Sequence, residues 1–257
     1  MRSFIKVFVG GWFILVSAQA AASLESMVTR VQPRFIEHLA GGSQEVLVPI
    51  LTEKSSFSRT TLLSYAVDGF QLELAFIDQG TYVECSGTIL SSDGAEHCMT
   101  VDIAIPVDDL ESFRWDRNID DSQTIQTDMK LYSEYVDVHT QLPPDGSFNA
   151  REGSNGGYGD LIGTGQMSFY PLASISSDDQ GYTWAVDMGL PLVFRLNLQT
   201  DRGMVAEFDL GISPKTKKYP NRSHFKLLLF EHDAQWGFRS ALAAYYDIQK
   251  DYFKKRV

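Results

Sequence analysis

The segments QMSFYPLASIS (166–176), YTWAVDM (182–188), LPLVFRLNLQ (190–199), RGMVAEFDLGI (202–212) and RSHFKLLLFEH (222–232) run in succession and lead into WGFRSALAAYYDIQKDYF (236–253). The first five have strand length, carry alternating or continuous apolar residues, and are closed by Gly, Pro, Asp or Ser. That pattern predicts an antiparallel meander. The sixth spaces Phe238, Leu242, Tyr245, Tyr246, Gln249, Tyr252 and Phe253 at three- and four-residue steps, as a helix with one packing face does. Asp233 stands where a helix cap is expected.

Working upstream, EVLVPILT (45–52), SRTTLLSYAV (58–67), FQLELAFI (70–77), TYVECSGTIL (81–90) and CMTVDIAIPV (98–107) repeat the strand signature, and Asp68-Gly69 is a hairpin turn signal between two of them. Residues 23–40 have helical spacing, interrupted by Pro33 and stopped by Gly41-Gly42. Many short strands without intervening helices have few stable solutions other than layered sheets. The expectation is a mainly β antiparallel sandwich over 23–236, with a short N-terminal helix and a C-terminal junction helix over 237–257. Residues 142–165 hold Pro143, Pro144 and seven glycines, and read as a mobile surface loop.

At 257 residues, 44% hydrophobic, the chain has ample material for a core. Its first residues have the form of a secretory leader: Arg2 and Lys6, then twelve apolar or small residues from Val7 to Ala18, then the small-x-small exit Ala18-Gln19-Ala20. Twelve is short of the ~20 a membrane span needs. Residues 1–22 are therefore read as a signal peptide and the mature chain as secreted or periplasmic, with no membrane attachment after cleavage. Loss of Arg2 and Lys6 takes the net charge from −11 to −13. A surface that acidic repels nucleic-acid backbones.

A hairpin about Ser91–Gly94 places Cys85 opposite Cys98, within disulfide reach, and export permits such a bond to persist. Closing that loop contributes about 3 kcal/mol in the chain-entropy account. Two buried free thiols are the alternative. No metal-ligand cluster, nucleophile elbow or phosphate loop is present, and no cofactor is expected. Asp116, Asn118 and Asp120 spell half a calcium loop, but Asp121 stands where the glycine belongs and Thr127 where the bidentate Glu belongs.

The landmarks RWD (114–116) and SFYPLASI (168–175), with GYTWAVDMGLPLVFRL (181–196) and the run from Val205 through the WGFR…YY helix, resemble a stretch of large secreted proteins of glycoside-hydrolase type. The likeness covers about 100–257. In those proteins a β-sandwich, of which the galactose-mutarotase-like super-sandwich is one form, precedes a larger barrel-like domain that carries the catalytic carboxylates. The resemblance implies a non-catalytic, carbohydrate-associated module. Its last helix bridges to a domain missing from this chain or supplied separately. It transfers no catalytic residue.

Four residues are candidates for a self-contained sugar-active enzyme. Glu207 and Asp209 share a strand face, about 7 Å apart, a separation at which paired carboxylates cleave glycosidic bonds. His224 and His232 share a face of another strand, and mutarotase-like sandwiches pair His with a carboxylate to open sugar rings. The alternative is a solvated or hydrogen-bonded strand face in both cases. For sugar stacking the candidates are Trp115, Trp184 and Tyr170. Trp115, between Arg114 and Asp116, is the best candidate for exposure, with core or edge packing as the alternative, while Trp184 shares its face with apolar neighbours and fits a core. Trp236 is expected to pack in the core or at a domain junction.

Overall fold

The structure, a computed structural model, describes residues 24–39, 42–132, 135–137, 166–168, 170–190 and 192–254. The expected leader and the 142–165 stretch lie outside the described residues. Among the described residues there are seventeen strands, fifteen of them in two main antiparallel sheets, and a C-terminal helix. The larger has nine strands in the order β3 (Ile50–Phe57), β4 (Thr60–Val67), β5 (Phe70–Asp78), β6 (Val83–Ser91), β17 (Arg222–His232), β14 (Gly181–Val186), β13 (Leu172–Ser176), β8 (Arg114–Asp116) and β9 (Ser122–Thr124). The smaller has six: β10 (Lys130–Tyr132), β15 (Val193–Gln199), β16 (Gly203–Ile212), β7 (His97–Ile105), β1 (Gln32–His38) and β2 (Gln44–Leu47). β11 (Tyr135–Asp137) and β12 (Gln166–Ser168) pair with each other.

Alternation along each strand sends one set of side chains between the sheets. Phe208 of β16 stacks on Phe225 of β17, centroids 4.7 Å apart, and Trp115 meets Trp184 at 5.6 Å. The Trp184 indole N–H donates to the Val205 carbonyl at 3.0 Å, tying one sheet to the other. β17 is apolar on both faces for a local reason. Leu227 and Leu229 enter the inter-sheet core, while Leu228 and Phe230 face outward beneath α2 (Phe238–Ile248), whose Phe238, Ala241 and Tyr245 cover them. Tyr245 also donates to the Val186 carbonyl at 3.0 Å.

The sandwich and its C-terminal helix agree with the sequence expectation; three details do not. The five strands quoted first form no single meander. β13, β14 and β17 join the nine-stranded sheet, and the β15–β16 hairpin joins the other. The N-terminal helix, α1, spans only 24–28. Pro33, with fixed φ and no N–H, falls instead in β1, where Phe35 is completely buried.

The Cys85–Cys98 disulfide is the third correction: no disulfide joins the two cysteines. Asp68 and Gly69 do turn β4 into β5, with φ of 39° and 82°. No hairpin joins β6 to β7, however. Ser91 N–H donates to the Asn221 carbonyl and Ser92 N–H to the Gly69 carbonyl, so the residues that would start a hairpin are tied to neighbouring turns. The chain then crosses to the other sheet. Cys85 ends up buried between Phe76 and Leu227, and Cys98 exposed opposite Gly211.

Candidate functional site

Glu207 and Asp209 point away from Phe208, onto the outer face of the six-stranded sheet, as their alternation predicts. That face is a hydrogen-bonded charge network. Ladder pairing sets Arg195 of β15 directly across from Glu207. Its Nε donates to Glu207 at 2.7 Å, and its two terminal nitrogens donate to the two oxygens of Asp209, each at 2.6 Å. Asn197 donates to Glu207 at 3.0 Å, and Thr100 links Asp209 (2.6 Å) to the His38 ring (2.8 Å). On the next strand Asp102 takes both terminal nitrogens of Arg202, at 2.6 and 2.9 Å.

Burial alone would lower the pKa of Arg195. The hydrogen bonds and charges of Asp209 and Glu207 more than reverse this, and the net displacement is upward. Burial pushes the Asp102 carboxyl up, with the Arg202 guanidinium opposing it. Removing one partner from such a cluster strands a buried charge, at about 3–5 kcal/mol. The arrangement commits the carboxylate oxygens of Glu207 and Asp209 to Arg195, Asn197 and Thr100.

His224 and His232 share the outer face of β17, but at opposite ends of an eight-residue span of about 26 Å. His224 Nδ1 meets Thr88 Oγ1 at 2.9 Å, its ring lies edge-on to Tyr219, and burial lowers its pKa. Its Nε2 is buried without a hydrogen-bond partner. The Phe208–Phe225 core separates this face from the face carrying Glu207 and Asp209. The structure therefore joins Glu207 to Asp209 and unites neither with either histidine.

The aromatic candidates are also redistributed. Trp115 is only 1% exposed, because β8 lies between β13 and β9 and turns that ring inward. Trp184 is buried, as its neighbours suggest, and Tyr170 packs against Phe238 at 5.2 Å. Trp236, assigned to packing from sequence, is 59% exposed.

Trp236 stands in an open groove of about 410 Å³ between the β8–β9 turn and the start of α2. Asp233 caps the turn before the helix, accepting from Gln235 N–H at 2.9 Å, and not the helix itself. Arg239 is fixed across the groove by the Ile119 carbonyl (3.3 Å) and Asp120 (2.7 Å). At the floor, Asp116 accepts from Ser174 and Ser176 on one oxygen, Oδ2, at 3.1 and 2.6 Å. Ser176 also meets His232 Nε2 at 3.0 Å, and Thr183 meets His232 Nδ1 at 2.8 Å. Because Ser176 spends its proton on Asp116, it accepts from Nε2–H; Nδ1 then accepts from Thr183. Burial pushes the His232 pKa down to about 4, in keeping with that neutral tautomer. Burial raises the Asp116 carboxyl pKa, with Ser176 and Ser174 opposing. Among the described residues no group of three or more His, Cys, Asp or Glu is placed to hold a metal, and no helix is long and apolar enough to cross a membrane.

No protein-family model matches the sequence, and no curated protein matches it. Similar solved structures include an alpha-galactosidase from Lactobacillus brevis (TM-score 0.44, 9% identity, 84% of this chain and 31% of that one). A GH36 alpha-galactosidase from Geobacillus stearothermophilus gives TM-score 0.41 and 11% identity, over 83% of this chain and 31% of that one. A galactose mutarotase related enzyme from Lactobacillus acidophilus gives 0.32 and 8%, over 77% and 78%. The chain thus spans about three tenths of the length of the two galactosidases. At these identities the likeness concerns architecture and carries nothing about chemistry.

Proposed function

We propose that this chain is a carbohydrate-associated β-sandwich module of a secreted glycosidase-like protein, contributing a sugar contact and no bond-cleaving centre. The observation that carries this reading is the exposed Trp236 indole, set among Asn118, Asp120 and Arg239 in an open groove. A pyranose has an apolar C–H face and a rim of hydroxyls. An indole takes the face, and fixed carboxylate, amide and guanidinium groups take the rim. The commitment of Glu207 and Asp209 to Arg195 supports the non-catalytic half of the reading. A self-contained enzyme built on His224, His232 and Glu207 lacks the required convergence. Tyr246 on α2, and Tyr252 and Phe253 just beyond its end, are exposed, which suits docking of a further domain.

The test is calorimetric titration of the secreted chain with neutral oligosaccharides, with the sugar recovered and analysed afterwards. Binding without turnover is expected, weakened about tenfold or more in Trp236→Ala, a loss of about 1.4 kcal/mol. Absence of binding to every sugar, or new reducing ends in the recovered sample, contradicts the proposal.

A further inference from the structure

The geometry points to Asp116 as the group that orients a neutral pyranose in the Trp236 groove, its Oδ1 accepting from the sugar's hydroxyls while the ring lies on the indole. This rests on the carbohydrate reading above and adds the recognition chemistry.

Asp116 is a buried carboxylate held from behind and open in front. The residue is only 6% exposed, and Oδ2 is pinned by two serine hydroxyls. Ser176 is itself oriented by His232, whose side chain is wholly buried, and His232 by Thr183. This directional chain fixes the carboxylate's rotation before any ligand arrives, which lowers the ordering cost of binding. Oδ1 accepts from neither serine and is not sealed in the core: Asp116 lines the open groove, where a hydroxyl of a ligand can donate to it.

What lies in front of Oδ1 is space kept by Gly237. A Cβ there would sit 3.1 Å from Oδ1, and the backbone at Gly237 has φ +47°, ψ −129°, a conformation L side chains rarely adopt. Glycine thus leaves the carboxylate open at the point where the chain passes from Trp236 into α2. An acceptor-only oxygen needs O–H donors, which sugar hydroxyls provide and a sugar carboxylate does not. Three carboxylates, Asp116, Asp120 and Asp121, line the groove against two guanidiniums, Arg114 and Arg239, and Arg239 is paired with Asp120, so a uronic acid is disfavoured relative to a neutral sugar.

The experiment titrates the full chain with cellotriose, mannotriose, maltotriose and raffinose, with trigalacturonic acid as the charged comparator. Wild type, Trp236→Ala, Asp116→Asn and Gly237→Ala are compared, each checked for folding by thermal melt. At least one neutral saccharide is expected to bind, with Asp116→Asn and Gly237→Ala each weakening it about tenfold or more and trigalacturonic acid binding less well. If either variant does not fold, the carboxyl 13C resonance of Asp116 in the wild type decides, and it is expected to move on saturation with the saccharide. Should a saccharide bind through Trp236 while folded Asp116→Asn keeps wild-type affinity, or while that resonance stays still, the Asp116 assignment falls and the module reading stands. Tighter binding of trigalacturonic acid also overturns the assignment. If no saccharide binds, both fall.

Discussion

His232 is enclosed with a hydroxyl on each ring nitrogen, and this sets both its protonation state and its effect on stability. Its pKa is about 4 in the folded chain and about 6.5 when unfolded. Between those values the unfolded chain binds the extra proton. Stability is therefore full above pH 6.5 and is lost as pH falls toward 4, by about 3 kcal/mol in all. His97, clamped between Glu37 and Asp93, has a raised pKa and acts with the opposite sign, its contribution fading as pH rises. It cancels when wild type is compared with His232→Gln. The variant is expected to be less stable at pH 7, with the gap shrinking by about 3 kcal/mol by pH 4 in urea melts. A gap independent of pH contradicts the buried neutral imidazole. At this scale the sequence was partly legible. Alternation places Glu207 and Asp209 on one face and His224 and His232 on another. It does not reveal that Arg195 lies across the ladder from Glu207, or that Ser176, 56 residues away in the chain, receives His232. Trp115 is buried and Trp236 exposed for the same reason, since exposure depends on non-local partners: β13 and β9 flank the first, and nothing described covers the second.

The strand is the scale at which pattern gives most and still leaves the partner open. Alternation tells which residues of β15 or β17 face a core, but the same signal fits either sheet, so a run of adjacent strands was read as one meander although it divides between two. The 227–230 apolar run of β17 needed the helix above it to be understood, because a strand buried on both faces loses alternation. Gly87 is a case where a strand glycine has a packing reason. It lies opposite Phe225 in the ladder, and an ideal Cβ there would be 2.1 Å from the Phe225 ring. That ring is held on its other side by Phe208. Gly87→Ala is expected to displace the Phe225–Phe208 stack and to destabilise by about 1–3 kcal/mol, read from denaturant midpoints. A neutral result would mean that the ring is free to slide.

As a whole the molecule is a sandwich whose two outer faces do different things. One face of the six-stranded sheet is closed by paired charges around Arg195. The outer face of the nine-stranded sheet carries α2, and beside the helix start lies the groove of Trp236, Gly237 and Asp116. Fold class was legible because many short strands leave few packing solutions. The groove was not, because it is assembled from residues 114–122 and 234–239, over 100 positions apart in the chain. In the function proposed above, this groove holds sugar and the sugar leaves unchanged. That function is tested most directly by indole 15N–1H spectra of the folded chain through a titration with a neutral oligosaccharide, followed by assay of the sugar. The account predicts that the Trp236 resonance shifts and saturates while those of buried Trp115 and Trp184 stay in place and the sugar is recovered intact. A stationary Trp236 resonance, or a cleaved or isomerised sugar, would contradict it.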